Sequence, residues 1–307
     1  MSILRQSLQD YLSVRRSLGF KLERVSHLLP DFVGFMERES ITTLTTALAL
    51  AWAMNTKGSA NWQAVRLDIV RGFARFLQAI DPNTEVPSPG LLPRRTQRAV
   101  PYIYTDAEIS VLMAAAQTLR LRISRATYAT LIGLLAVTGM RPGEAIRLDR
   151  EDVDLARGFL TIRSTKFGKS REVVLHSSTV AALEAYVRRR DELIPHPIGP
   201  TFFVSRDGTR LSHGHVDCTY RQLVRQAGLP QLPSRRPPRL HDFRHTFAVH
   251  TVIDWYRDGV DVAARLPLLS TYLGHVEPIS TYWYFSATPE LLALAASRLQ
   301  RGLGDLR

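Results

Sequence analysis

Five prolines, at positions 82, 87, 89, 93 and 101, fall within one short stretch of this chain. Each removes a backbone N–H and fixes φ, so neither a helix nor a central strand runs through Pro82–Pro101. The stretch therefore reads as a linker, residues 82–101, between a domain at 1–81 and a larger one at 102–307, both within the usual range of domain sizes. Ahead of it, apolar residues recur at helical spacing in Ile3–Leu18, Val25–Met36, Leu44–Met54 and Trp62–Leu77, punctuated by Gly19, Pro30, Gly58 and Pro82. Behind it, Thr105-Asp-Ala-Glu108 fits a capping box that opens a helix, and a strongly apolar helix follows near Tyr128–Val137. The pattern then changes. Phe159–Arg163 and Arg171–Leu175 are short β-like runs around a turn, Ser164–Ser170, with a basic tip. Helical spacing returns at Thr179–Leu193, a second hairpin is expected at Phe202–Leu211, and the remainder is helical with loops at Pro230–Pro238 and Asp258–Asp261. The fold class expected is mainly α with a small β-hairpin or sheet in the second domain, an α+β arrangement.

Charge narrows the partners. Lys and Arg number 40 against 28 Asp and Glu, a formal charge of +12, which points to a polyanion. The excess lies on both sides of the linker, and the linker itself carries Arg94, Arg95 and Arg98, so two domains closing on one polyanion as a clamp is the arrangement expected. No stretch approaches the run of about 20 apolar residues that a membrane span requires, and Arg5, Gln6 and Asp10 interrupt any signal-peptide core. The expected setting is the cytoplasm, with no membrane partner. Cys218 is the single cysteine, so neither an intrachain disulfide nor a Cys-rich zinc site is available. Only four of the basic residues are lysines, Lys21, Lys57, Lys166 and Lys169. Lysine, unlike arginine, has a proton that it can lose, so a lysine kept among so many arginines is a candidate proton donor.

Several short patterns carry groups capable of chemistry. In Thr138-Gly-Met-Arg141-Pro-Gly-Glu144, Gly139 fits a helix C-cap and Pro142 a first helical position, which puts Arg141 at a helix start. There it is either a phosphate fork or one half of an i,i+3 pair with Glu144. Lys166 and Lys169 sit at the hairpin tip, as solvated turn residues or as an ammonium reaching toward DNA or a leaving oxygen. His241-Asp-Phe-Arg244-His245 follows the basic loop Arg235, Arg236, Arg239 and opens a helix, with His241, Arg244 and His245 on one face. The i,i+4 histidines have zinc-pair spacing but lack the metalloprotease Glu between them, and Arg244 would set a positive charge beside the metal. His213-Gly-His215 with Cys218 is a second thin candidate, and no metal is expected at either. Leu273-Gly274-His275 reads as a helix ending at glycine, followed nine residues later by Tyr284 within Thr281-Tyr-Trp-Tyr-Phe285.

Singly these patterns are ordinary. Their order, Arg141-x-x-Glu, hairpin Lys166, His241-x-x-Arg244, Gly-His275 and Tyr284, resembles the tyrosine recombinase (phage integrase) family over roughly residues 100–290, and the helical N-terminal part resembles its core-binding domain. The resemblance implies that Arg141, Lys166, His241, Arg244, His275 and the nucleophile Tyr284 form the catalytic set, with Glu144 supporting Arg141. It leaves Arg94, Arg95, Arg98, Lys169, Arg235, Arg236 and Arg239 as DNA-binding candidates. Ser286 stands where the family often has a histidine; Tyr282 competes with Tyr284, and Lys169 with Lys166. Leu266–Leu294 looks most like recombinases of bacterial mobile elements, with Thr288 and Pro289 opening a final helix through Leu299.

The implied reaction is cleavage and rejoining of double-stranded DNA at specific sites through a 3′-phosphotyrosyl intermediate, in integration or transposition of a mobile element. It needs neither ATP nor Mg²⁺, and the chain offers no Gly-x4-Gly-Lys-Ser/Thr loop. Cofactors are therefore not expected. Exchange between two duplexes implies a homotetramer on the DNA, alone or with sister recombinases. The competing expectations are a noncatalytic DNA-binding accessory protein on the same fold, a type IB topoisomerase-like enzyme, and a metal-dependent nuclease built on the histidine clusters.

Overall fold

The computed structural model describes residues 2–94, 100–163, 170–230, 237–274 and 293. The chain divides into two units, Met1–Arg98 and Ala99–Arg307.

Among its described residues the first unit is built from four helices, α1 (Ile3–Ser17), α2 (Glu23–Arg38), α3 (Thr46–Met54) and α4 (Ala60–Gln78). Ser2, Thr45 and Ser59 each cap a helix start by accepting a backbone N–H three residues on. Pro30, expected to interrupt a helix, lies inside α2 on its exposed side. The buried stripe Leu29, Phe32, Val33 and Met36 carries the helix past the missing hydrogen bond. These side chains close a core with Leu8, Trp52, Leu67, Val70 and Phe73.

The start of the proline-rich segment packs on this unit, with Val86 and Leu92 against its core. Arg71 of α4 donates from Nε to the Pro87 carbonyl at 2.7 Å and from Nη2 to that of Ser88 at 2.9 Å. Prolines cannot satisfy each other's carbonyls, and a buried guanidinium supplies the missing donors.

In the second unit the capping box forms as the spacing predicts: Thr105 accepts the Glu108 N–H, and Glu108 accepts the Thr105 N–H at 2.8 Å. It opens α5 (Asp106–Ala116), which leads to α6 (Arg122–Thr138), the central helix, packed against α5 and α8 (Ser177–Leu193) and against α10 (Asp242–Arg257). A short α7 (Pro142–Arg147) follows α6. An antiparallel three-stranded sheet, β1 (Val153–Asp154), β2 (Phe159–Ile162) and β3 (Arg171–Val174), comes next, with Leu160 opposite Val173 and Ile162 opposite Arg171. The expected second hairpin at Phe202–Leu211 is instead an irregular turn with one bridge, Val204 to Arg210. Phe202, Phe203 and Val204 are all buried against the core, so this run lacks the alternation that would pair it as a regular ladder. Two helices complete the described unit, α9 (His213–Gln226) and α11 (Val262–Leu273). The mainly helical fold with one small sheet is the class expected.

Tyr104 locks the start of this unit onto α10. Its ring stacks on Phe243 at 4.4 Å, its N–H donates to Thr246 Oγ1 at 3.0 Å, and its hydroxyl donates to the Arg239 carbonyl at 3.0 Å. Burial pushes its phenol well above the ordinary range, so it serves as a neutral donor. The N-terminal end of α10, where His241 stands, is thereby fixed.

Candidate active site

Three chain ends meet in the second unit: the α6–α7 junction, the start of α10 and the end of α11. Gly139 ends α6 in the left-handed region at φ +59°, and a Cβ there would lie 2.6 Å from the Phe247 ring of α10. Only glycine satisfies both the turn and the close approach. The chain then reverses, Arg141 becomes the N-cap of α7, and Pro142 takes the first helical position.

Arg141 and Glu144 form the i,i+3 pair. The Arg141 backbone N–H and its Nη1 each donate to the Glu144 carboxylate at 2.8 Å. The anion at this helix start is therefore the chain's own carboxylate. Glu144 is buried, with 3% of its side chain exposed, whereas Arg141 keeps 34% and faces outward. Across from it Arg244 is nearly sealed, at 1% exposure. Its Nη1 donates to the Gly139 carbonyl at 3.0 Å and its Nη2 to that of Leu273 at 2.5 Å. Arg141 Nη2 donates to the Gly274 carbonyl at 3.2 Å. Two guanidiniums thus converge on the end of α11, where Gly274 takes φ +68° as the cap.

His241, the N-cap of α10, stacks edge-on with His245 at 5.1 Å between ring centroids. It keeps an edge in solvent, yet its pKa falls to about 4. Desolvation by the surrounding protein is the main cause, followed by the charges of Arg244, Arg239 and Arg141. The imidazole is neutral at neutral pH. Glu144 shows the opposite balance of causes: burial would raise its pKa, but hydrogen bonds and charge from Arg171, then those of Arg141, outweigh it and hold the carboxyl at about 2.

Arg171 is the residue that motif order alone did not single out. It stands on β3, on the same face as the buried Val173. It donates from Nη2 to Glu144 Oε2 at 2.7 Å, from Nη1 to Oε1 at 3.1 Å, and from Nε to the Tyr272 carbonyl at 2.9 Å. The available signal was alternation: a charged residue at an inward strand position demands a buried partner.

The structure brings Arg141, Glu144, His241 and Arg244 together. Arg239 stands beside them, with its N–H donating to the buried Asp242 carboxylate at 2.9 Å. Arg94 belongs to the first unit and pairs with Asp68 at 2.8 Å. Lys166, Lys169, Arg95, Arg98, Arg235, Arg236, His275, Tyr282, Tyr284, Ser286, Thr288 and Pro289 lie outside the described residues. Among the described residues no group of three or more His, Cys, Asp or Glu is placed to hold a metal ion, and no helix is long and apolar enough to cross a membrane.

A family model described as the phage integrase family matches residues 103–290, the span that carries Arg141, Glu144, His241 and Arg244. The chain belongs to the phage integrase family. A putative integrase/recombinase, y4rB of Sinorhizobium fredii (strain NBRC 101917 / NGR234), is 45% identical over 99% of both chains. A second from the same strain, y4rE, is 38% identical over 96% of this chain and 95% of its own. In fold, the chain is similar to the Tn1549 transposon integrase solved with circular intermediate DNA, at a TM-score of 0.65 and 17% identity, covering 95% of this chain and 99% of that one. As a member of this family the protein is a tyrosine recombinase.

Proposed function

We propose that the protein is a site-specific DNA recombinase that cuts and rejoins DNA through a 3′-phosphotyrosyl intermediate, in the integration or transposition of a mobile element. The observation that carries this reading is the convergence of Arg141 and Arg244 beside a neutral His241, within the span matched to the family. Negative charge grows on the nonbridging oxygens of a phosphodiester under attack, and two preorganised guanidiniums stabilise it. Glu144 orients Arg141. The Tyr284 phenolic oxygen bonds to phosphorus as the bond from phosphorus to the 5′ oxygen breaks. Its proton passes to an imidazole, His241 or His275; His241 is neutral and free to accept, although the desolvation and cations that keep it neutral also make it a weak base. The leaving 5′ oxygen takes a proton from Lys166, which an ammonium supplies and a guanidinium does not. The phosphodiester energy stays in the phosphotyrosyl bond, and a 5′ hydroxyl from another duplex rejoins it by the reverse steps.

In this reading both domains, residues 1–81 and 102–307 with a linker at 82–101, contact the duplex. Arg94, Arg95, Arg98, Lys169, Arg235, Arg236 and Arg239 neutralise its phosphates. A homotetramer on paired sites, acting alone or with sister recombinases, accounts for exchange between two duplexes. The enzyme then works in the cytoplasm, bound to the nucleoid, without a metal or other cofactor.

The test is covalent trapping in EDTA, with wild type and Tyr284→Phe incubated with nicked duplexes drawn from the DNA flanking the gene. Wild type is expected to form an SDS-resistant, protease-sensitive adduct and Tyr284→Phe none. Binding by both proteins without an adduct from either would replace this reading with a noncatalytic accessory protein.

A further inference from the structure

We propose that Arg171 is a positioning residue for strand cleavage, acting through Glu144 on the charge and placement of Arg141 and anchoring the end of α11. The inference rests on the recombinase reading and goes beyond its catalytic set. A carboxylate that orients Arg141 also cancels its charge, leaving a nearly neutral pair to meet a phosphate. Arg171 changes that balance. Glu144 is shared by two guanidiniums, one 12% exposed on β3 and one 34% exposed toward solvent, so the cluster keeps one net positive charge and its open side is Arg141. Arg171 also spans elements: three hydrogen bonds tie β3 to α7 and to the last turn of α11.

Gly274 supplies an independent observation. A Cβ at this position would lie 3.0 Å from Arg171 Nη1, so the side chain runs directly against the backbone of the cap, where φ is +68°. The carbonyls of Tyr272, Leu273 and Gly274 are held by Arg171, Arg244 and Arg141 in turn. A helix C-terminus attracts cations, but three successive carbonyls each gripped by a different guanidinium fix its position far more tightly than the dipole alone. Had β3 needed only packing, an apolar side chain would have served at least as well as a buried ion pair.

The experiment uses the full chain and a nicked duplex that traps the adduct, and compares wild type, Arg171→Met, Arg171→Lys, Glu144→Gln and the double variant Glu144→Gln/Arg171→Met. Single-turnover adduct formation at saturating protein is measured separately from DNA affinity. Arg171→Met is expected to slow adduct formation by about 10- to 100-fold, the range of coupling within one network, while the Kd for DNA stays within about twofold. In the Glu144→Gln background the same change should add less than about threefold, because its route to Arg141 is already cut. Arg171→Lys should bind DNA normally and recover only part of the rate, since an ammonium cannot make the fork. It also decides the matter should Arg171→Met fail to fold. Full wild-type rate in Arg171→Lys, or full additivity in the double variant, overturns the inference while the recombinase reading stands. If wild type forms no adduct on DNA that it binds, the recombinase reading fails and the inference with it.

Discussion

Replacing Glu144 by glutamine removes one charge from a carboxylate that is 3% exposed and accepts four hydrogen bonds, two from Arg141 and two from Arg171. The magnitude follows from linkage. The folded pKa is held at about 2 against an ordinary 4.5, and at about 1.36 kcal/mol per unit the ionised form contributes about 3 kcal/mol. A depressed carboxylate contributes fully above its unfolded pKa and loses that contribution as pH falls toward the folded one. Glu144→Gln should therefore lower the stability of the second unit by about 3 kcal/mol at pH 7, in line with breaking a buried pair. At pH 3 the difference should shrink to about 1 kcal/mol, because much of the wild-type advantage has been titrated away. Urea unfolding followed by hydrogen exchange at the amides of α6 and α10 isolates this unit from the four-helix unit. An equal difference at pH 3 and pH 7, or a glutamine variant as stable as wild type at pH 7, would refute the reasoning.

Three further outcomes follow from other parts of the structure. Gly139→Val places a side chain at φ +59° and 2.6 Å from Phe247, and should cost at least about 2 kcal/mol, read from the urea midpoint. A wild-type midpoint would mean that α6 and α10 separate easily. With His241 at a pKa of about 4, protonation of this group should not slow adduct formation between pH 8 and 6. An acid limb that moves with His241 substitution and lies near 6.5 would contradict the desolvated, cation-flanked environment. Thr105→Ala removes the half of the capping box in which the hydroxyl accepts the Glu108 N–H, leaving the Glu108 carboxylate on the backbone N–H of residue 105, and should cost about 1 kcal/mol by thermal melting, whereas Thr105→Ser should be nearly neutral.

Local signals with a single physical reading translated directly into structure. Gly139 and Pro142 announced the reversal that presents Arg141, and Thr105 with Glu108 announced the start of α5. Glycine at a cap and proline at N1 depend on backbone geometry alone, so distant contacts do not alter them. Pro30 was legible only in part: its local penalty is real, but the apolar stripe on either side is a tertiary matter and prevails. The turn at Phe202–Leu211 shows the same limit, since three successive buried residues obey the shape of the core rather than the period of a ladder. Arg141, His241 and Arg244 were recognisable because a fixed order of short motifs marks them. Arg171 belongs to no such order. Its importance arises from two partners, Glu144 and the carbonyl of Tyr272, that are distant in sequence and adjacent only after folding.

The same contacts bear on how phosphate recognition and nucleophile placement relate in the proposed mechanism. Arg141 and Arg244 do not stand apart from the chain that leads to His275 and Tyr284; they hold the carbonyls of Gly274 and Leu273, the residues just before it. Arg244 is almost wholly enclosed, so its bonds to Gly139 and Leu273 fix its direction before any substrate arrives. Arg141 is the more exposed of the two, and its contact with Gly274, at 3.2 Å, is longer than its bond to Glu144. A phosphate oxygen reaching Arg141 competes with the Gly274 carbonyl, not with the Glu144 carboxylate that orients the side chain. The prediction is that Arg141→Lys, which keeps the charge but cannot bond two acceptors as a planar fork, loses adduct formation by at least about 100-fold while retaining DNA binding. Hydrogen exchange at the last amides of α11 should report the coupling, with wild type gaining protection on DNA that Arg141→Lys does not. Equal protection in both proteins would show that the end of α11 is set independently of the phosphate.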